Sequence, residues 1–185
     1  MLSKLRAVMA VALLMIASSV SLPAVASGYL QCVPFARAAS GVDIRGNARD
    51  WWAAADGRYE RGAEPRVGAV MHFPGTRSMP IGHVAVVSAI ISDREVLIDH
   101  ANWSPINGRR GQIERGVRAV DVSAAGDWSS VRVWYAPIRD LGLRANPVSG
   151  FIYPSGERAV SADRYAALTP DADGALAAIV ASIGR

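Results

Sequence analysis

Cysteine is nearly absent from this chain, since Cys32 is the only one among 185 residues. An intramolecular disulfide is therefore excluded, and so is the disulfide framework that stabilises many small exported domains. Three roles remain open for Cys32. It forms a bond to another molecule, it lies inert in the core, or its thiol carries out chemistry.

The chain also lacks an apolar run long enough to cross a membrane. The apolar residues 7–17 follow Lys4 and Arg6, and the run is shorter than the roughly 18 residues that a spanning helix needs. Small residues end at Ala26, as a signal peptidase requires. We predict a signal peptide over residues 1–26 rather than a stable membrane anchor, and hence export to the periplasm or the extracellular space.

A strong excess of one charge is missing as well. The 20 basic residues face 16 acidic ones, and removal of residues 1–26 reduces the formal charge from +4 to about +2. The remaining basic residues are all arginines, spread from Arg37 to Arg185 without a block. This distribution argues against a nucleic-acid partner.

Metal-ligand spacing is not found either. His72, His83 and His100 are scattered, none forms a HExxH pair, and the cysteine lies far from them in sequence. We expect no metal and no cofactor. His72 is read as an ordinary strand residue.

What the chain has is apolar periodicity sufficient for one core, with 51% hydrophobic residues. Small and apolar residues at helical spacing predict a helix over Tyr29–Ala39, with Cys32 beside its start. Gly41 ends it. A second short helix is predicted over Asn47–Ala55.

Beyond Gly68 the pattern changes to β-branched and aromatic runs separated by turn residues. The predicted strands are Val70–Phe73, His83–Ile91, Val96–Ala101, Val117–Val122 and Val131–Tyr135. The clearest hairpin joins the second and third of these through residues 92–94. Helices first and strands afterwards predict an α+β domain, with N-terminal helices packed on an antiparallel sheet of about five strands.

The domain is expected to span residues 27–137. Turn-formers and breakers between Pro137 and Pro154 indicate a connector, and Leu176–Ile183 has the spacing of a short amphipathic helix. Residues 138–185 are therefore read as a C-terminal extension.

The residue types needed for cysteine catalysis occur in order along the domain. A nucleophilic thiolate requires an imidazole base and a third polar group that fixes the imidazole, and Cys32, His83 and Asn102 supply these types. A helix start stabilises a thiolate, so a thiol pKa of roughly 3.5 to 7.5 is expected. The backbone N–H of Cys32 is a candidate oxyanion donor.

Each of these residues has a plain structural reading when taken alone. Cys32 could be a small buried hydrophobe, His83 a satisfied strand residue, and Asn102 a turn cap. Gly82 before the histidine would leave the strand entrance open to close approach.

Their context resembles a known family. The segments YLQCVPFAR (29–37), RVGAVMHF (66–73), GHVAVVSAI (82–90), LIDHANW (97–103) and WSSVRVWY (128–135) resemble the CHAP family of cysteine- and histidine-dependent amidohydrolases and peptidases. The resemblance implies a papain-like α+β fold and cleavage of amide bonds in peptidoglycan. It places the nucleophile at Cys32, the base at His83 and the orienting amide at Asn102.

One position departs from the family. A Glu often precedes the asparagine by two residues, whereas this chain has His100 there, with Asp99 beside it. On a strand His100 and Asn102 share a face and Asp99 lies on the other, so His100 is the preferred helper. Trp103 is expected to shield the Asn–His contact from water.

The sequence thus predicts an exported cysteine amidohydrolase or endopeptidase acting on peptidoglycan through Cys32, His83 and Asn102. Two alternatives stay open. One is a non-catalytic module of the same fold that binds peptidoglycan or peptides, and the other is an amidase acting on a soluble peptide conjugate.

Overall fold

The structure is a computed structural model that describes residues 30–155. The predicted signal peptide and the predicted C-terminal helix lie outside these residues. Within the described part of the chain, no helix has the length and apolarity needed to span a membrane.

Two short helical regions precede the sheet. Helix α1 spans Cys32–Ser40, and a 3₁₀ turn at Ala48–Asp50 leads directly into helix α2 at Trp51–Ala54. Both predicted helices are thus present, although α1 begins at Cys32 rather than at Tyr29. The second is divided, because only its last four residues are α-helical.

The ends of α1 follow from local chemistry. Gln31 is extended and Pro34 falls in the first turn, where its missing N–H costs no hydrogen bond. At the other end Gly41 adopts a left-handed conformation with φ of 77° and its N–H bonds to the carbonyl of Arg37 at 3.0 Å. The helix buries Ala36 completely, which lets its backbone lie close to the sheet. This packing fixes where its first residue, Cys32, is placed.

The sheet is antiparallel throughout and has nine strands in the described residues. They are β1 Arg61–Gly62, β2 Val70–Phe73, β3 His83–Ser92, β4 Glu95–Ala101, β5 Ile113–Asp121, β6 Ser130–Tyr135, β7 Asp140–Leu141, β8 Asn146–Pro147 and β9 Gly150–Ile152. Their order is β1-β9-β2-β3-β4-β5-β6-β7, with β8 also paired to β6.

The sheet-rich α+β class is confirmed, but the prediction of about five strands is wrong. The five predicted strands correspond to β2–β6, and the β3–β4 hairpin turns at residues 93–94 as expected. The four additional strands have only two or three residues each. Such lengths are too short to show the period-two alternation on which strand prediction relies.

The predicted connector after Pro137 is part of this sheet. Residues 140–152 contribute β7, β8 and β9, and β9 lies between β1 and β2 rather than at an edge. Phe151 and Ile152 are fully buried. Proline and glycine around these strands gave the segment the composition of a linker, although its pairing partners lie far away in sequence.

Apolar side chains cover both faces of the sheet. On one face Val84 and Val86 of β3 pack with α1 and Trp51. On the other, Ala85 and Val87 join a cluster that includes Phe73, Trp128 and Phe151. Each large side chain buried in this way contributes roughly 1.5–3 kcal/mol. Together the two clusters hold the start of α1 next to the first residues of β3.

Gly82 fixes the entry to β3. Its φ is +70°, and a Cβ there would lie 2.6 Å from the backbone nitrogen of Arg49 and 2.7 Å from the carbonyl oxygen of Phe73. No side chain fits between these backbones, and L-residues rarely adopt this φ. The close approach expected at this glycine is therefore present, and it sets the position of His83.

Candidate active site

A cavity of about 740 Å³ opens where the start of α1 meets the start of β3. Cys32 and His83 both line it, together with Gln31, Asn102, Trp103 and Arg110. The predicted nucleophile and base therefore share one cavity, although 50 residues separate them in sequence. Cys32 is the first residue of α1 and His83 is the first residue of β3. Both side chains therefore lie at the edge of the packed layers.

Cys32 is a free cysteine with only 6% of its surface exposed. Burial raises the pKa of its thiol above 9.0, and hydrogen bonding from the backbone at Val84, Val33 and Cys32 itself lowers that pKa by less. The expectation of a lowered thiol pKa is thus wrong for the protein without substrate. The backbone donors of the helix start are present, but desolvation of the charged form outweighs them.

His83 is 4% exposed, and its Nε2 lies 3.1 Å from Nδ1 of His100. Burial lowers the pKa of His83 to about 3, and the positive charge of Arg110 adds to this effect. The imidazole is therefore neutral at physiological pH. With Nε2 occupied by His100, Nδ1 is the ring nitrogen left for the cavity.

The hydrogen bond expected from Asn102 to the imidazole is made by His100 instead. Asn102 directly follows β4 with φ of 66°, and its Nδ2 donates to Oε1 of Gln31 at 2.9 Å. The left-handed backbone, which asparagine tolerates better than most residues, directs its side chain toward the helix start. Asn102 still lines the cavity, but its contact is with the residue before Cys32.

Asp99 plays no part in orienting His83. It is completely buried on the other face of β4, where it accepts the N–H of Gly116 at 2.7 Å and Nη1 of Arg115 at 3.2 Å. Successive side chains of a strand point to opposite faces, so Asp99 and His100 lie on different faces of β4, as expected from the sequence.

Trp103 packs against both histidines. Its ring centroid lies 5.0 Å from that of His83 and 5.6 Å from that of His100, with the second pair stacked at 26°. Its indole N–H donates to the carbonyl of Trp134 at 3.1 Å, which fixes the ring. This arrangement has the geometry of the predicted shield, except that the contact it covers is between two histidines.

His72 is separate from this site. It is buried in β2, and its Nε2 lies 3.0 Å from the carbonyl oxygen of Ala48. Within residues 30–155, no cluster of three or more His, Cys, Asp or Glu side chains is arranged to hold a metal ion.

Sequence reasoning missed Glu114. This residue lies opposite His100 in the β4–β5 pairing, and its Oε1 is 3.9 Å from His100 Nε2. Oε1 also accepts the backbone N–H of Ser104 at 2.6 Å. The prediction began this strand at Val117, which left Glu114 in a loop. The sequence offered no clear signal for this residue, because the first part of the strand contains Glu114, Arg115 and Gly116 and shows no apolar alternation.

Residues 24–102 match the family model of the CHAP domain. The chain contains a CHAP domain. The matched range includes Cys32, His83 and His100 and ends at Asn102, so that β5 and Glu114 lie beyond it. A search of curated proteins found no match.

CHAP domains are usually amidases or peptidases, and the domain implies peptidoglycan as the substrate. The cavity of this CHAP domain is lined by a cysteine thiol and by a neutral imidazole whose Nε2 contacts His100. A thiol and an imidazole are the groups that cysteine-dependent attack on an amide carbonyl uses.

Alkylation of Cys32 should follow the raised thiol pKa. Because only the thiolate reacts and burial raises its pKa, we expect the rate with iodoacetamide to keep rising beyond pH 9 in the folded protein. The single cysteine makes mass spectrometry of the adduct specific. A plateau already reached below about pH 7 would instead indicate a preformed thiolate–imidazolium pair.

The matched control for this measurement is His83→Ala. A neutral His83 contributes no charge to the thiol, so its removal should not raise the pH at half-maximal rate. Water that enters the enlarged cavity would lower that pH, because burial is what raises the thiol pKa. If removal of the imidazole shifts that pH upward by a full unit, the neutral state assigned to His83 is wrong.

Proposed function

We propose that this chain is an exported cysteine amidohydrolase or endopeptidase that cleaves amide bonds of peptidoglycan. The observation that carries the proposal is the shared cavity of Cys32 and His83 within a CHAP domain. In the proposed assignment Cys32 is the nucleophile, His83 is the general base, and His100 holds the imidazole in place of Asn102.

The two pKa directions suggest how the first step proceeds. Both groups are neutral before substrate arrives, because burial raises the thiol pKa and lowers the imidazole pKa. Proton transfer from Sγ to Nδ1 of His83 would then accompany attack of sulfur on the amide carbon, rather than precede it. Backbone N–H groups at the start of α1 are the candidate donors to the oxyanion.

The remaining steps follow from acyl transfer. His83, now protonated, gives its proton to the leaving nitrogen as the carbon–nitrogen bond breaks, which leaves a thioester on Cys32. Water, deprotonated by the same imidazole, attacks the thioester, and the carboxylic acid product leaves with the thiol restored. No cofactor is required.

The cavity walls favour a peptide that carries carboxylates. Arg110 and Arg144 line it, and no acidic residue is among the described residues of the lining. The walls also expose the apolar side chains of Ile81, Ile138 and Leu143. Wall peptides combine alkyl side chains with free carboxylates, so this surface supports a site for a peptide stem or cross-bridge.

Export is part of the proposal and depends on the sequence alone. Residues 1–26 have the charge, apolar run and small residues of a cleaved signal. A substrate outside the cytoplasmic membrane agrees with this location in the periplasm or the extracellular space.

One observation favours the non-catalytic alternative. A buried neutral thiol is also what an inert core cysteine would show. The hydrogen bond between His83 and His100 speaks for catalysis, because a module that only binds peptides has no need to hold a neutral imidazole at the rim of a cavity. The alternative of a soluble peptide conjugate shares all of these residues.

Digestion of purified sacculi tests the proposal. The chain without residues 1–26 should release new amino groups and no new reducing ends, since amide bonds and not glycosidic bonds are cut. Mass spectrometry of the products then identifies the bond. Binding to sacculi without any release of amines would favour the non-catalytic module, and cleavage of soluble peptides alone would favour the conjugate amidase.

A further inference from the structure

A buried carboxylate and a buried imidazole face each other behind the candidate active site. Glu114 is 6% exposed and His100 is completely buried, and the two are paired across β4 and β5. His100 Nε2 has no hydrogen-bond partner among residues 30–155, and Oε1 of Glu114 lies 3.9 Å from it. Nδ1 of the same ring contacts His83.

The protonation state of His100 decides which groups its two ring nitrogens can bind. Burial and the neighbouring His83 lower the pKa of His100 well below its usual value, so the ring is neutral. A neutral imidazole carries one N–H and one lone pair, and which nitrogen has the proton depends on what each faces. The hydrogen bond between His83 and His100 can therefore run in either direction.

Only one direction suits a general base. If His100 Nδ1 accepts, then His83 Nε2 carries the proton and Nδ1 of His83 has the lone pair needed to take the thiol proton. If His100 Nδ1 donates, His83 Nδ1 carries the proton and cannot act as a base. In that second case the lone pair of His100 Nε2 would also face the oxygen of Glu114, which is repulsive.

We propose that Glu114 is a positioning residue that selects the productive tautomer of His100 and, through it, that of His83. Its negative charge favours a proton on His100 Nε2, which leaves Nδ1 as the acceptor. The inference depends on the proposed function for its effect on rate. The tautomer itself is a property of the protein without substrate.

The surroundings agree with this role. Glu114 is held by the N–H of Ser104 at 2.6 Å, so its carboxylate is anchored toward β4. Asp99, the carboxylate next to His100 in sequence, is bound to Gly116 and Arg115 on the opposite face. Trp103 stacks on the His100 ring and limits the approach of water.

The first test measures the tautomers directly in the protein without substrate. In the wild type, ¹⁵N chemical shifts of the imidazoles should give a protonated Nε2 and an unprotonated Nδ1 for both His83 and His100. Glu114→Gln retains an oxygen that accepts the Ser104 N–H but loses the charge, so we expect a mixture of tautomers. An unchanged tautomer of His83 in Glu114→Gln would overturn the proposal.

The second test is a double-mutant cycle on amide cleavage. Glu114→Gln should lower kcat by at least about tenfold with KM unchanged, because the fraction of competent base falls. In a His100→Asn background the amide oxygen can accept from His83 Nε2 without any tautomer choice. In that background Glu114→Gln should therefore lower kcat by less than about threefold.

A purely structural Glu114 would give a different result. Its substitution would then lower kcat by a similar factor in the wild-type and His100→Asn backgrounds, or it would lower the melting temperature and raise KM. Either outcome contradicts the proposal. If the wild type releases no amines from sacculi, the proposed function fails, while the ¹⁵N measurement still decides the role of Glu114.

Discussion

Replacing Cys32 with alanine should reduce the release of amino groups from purified sacculi to background. The proposed acyl transfer has no route without Sγ, so we expect a loss of at least about a thousandfold in kcat. Cys32→Ser should lose almost as much, because a hydroxyl is a far weaker nucleophile than a thiol under the same base.

Stability distinguishes this result from misfolding. Cys32 is a small side chain in the cluster between α1 and the sheet, and its truncation to alanine should cost only about 1 kcal/mol. Both variants should therefore retain the circular dichroism spectrum and bind sacculi like the wild type. Undiminished release of amines by Cys32→Ala would refute the assignment of the nucleophile.

Mild acid should strongly destabilise the fold. The pKa of His83 is lowered to about 3 and that of His100 well below 6.5, whereas both are ordinary in the unfolded chain. The unfolded state therefore binds more protons below pH 6.5, so stability is complete above that pH and is lost as the pH falls toward 3. Between about pH 6 and pH 5 the two histidines together should remove roughly 2–3 kcal/mol.

Urea unfolding at several pH values in this window measures the effect. Each histidine should contribute a slope of about 1.4 kcal/mol per pH unit in the free energy of unfolding. His83→Gln should reduce the slope by the contribution of one histidine, about 1.4 kcal/mol per pH unit, whatever the substitution does to the absolute free energy of unfolding. A slope that is the same in His83→Gln and the wild type would show that His83 does not stay neutral in the folded protein.

Several elements were predictable because their signals are local. The first helix could be predicted because Phe35 and Ala36 follow Cys32 at three- and four-residue spacing and Gly41 ends the run. Strands β2–β6 could be predicted from runs of β-branched and aromatic residues. The close approach at Gly82 followed from a glycine at a strand entrance. For the helix and the strands the signal lies in residues a few positions apart. At Gly82 the signal is the residue type itself, although the backbones that it approaches belong to Arg49 and Phe73.

Other features could not be predicted because their partners are distant. Strand β9 is stabilised by pairing with β1 and β2, about 80 to 90 residues earlier in the chain. Its own three residues are too few to show the alternation of apolar and polar residues that predicts a strand. The left-handed backbone at Asn102, whose side chain bonds to Gln31, cannot be recognised in a strand-like pattern either.

The sequence by itself determined that Cys32 lies at a helix start and His83 at a strand entrance, and which family these segments resemble, because both placements are set by local pattern. Only the tertiary structure decided that His100 contacts His83, that Glu114 lies behind it, and that the thiol is neutral. These outcomes depend on packing between β3, β4 and β5 and on the water that packing removes, and neither is encoded at any single position.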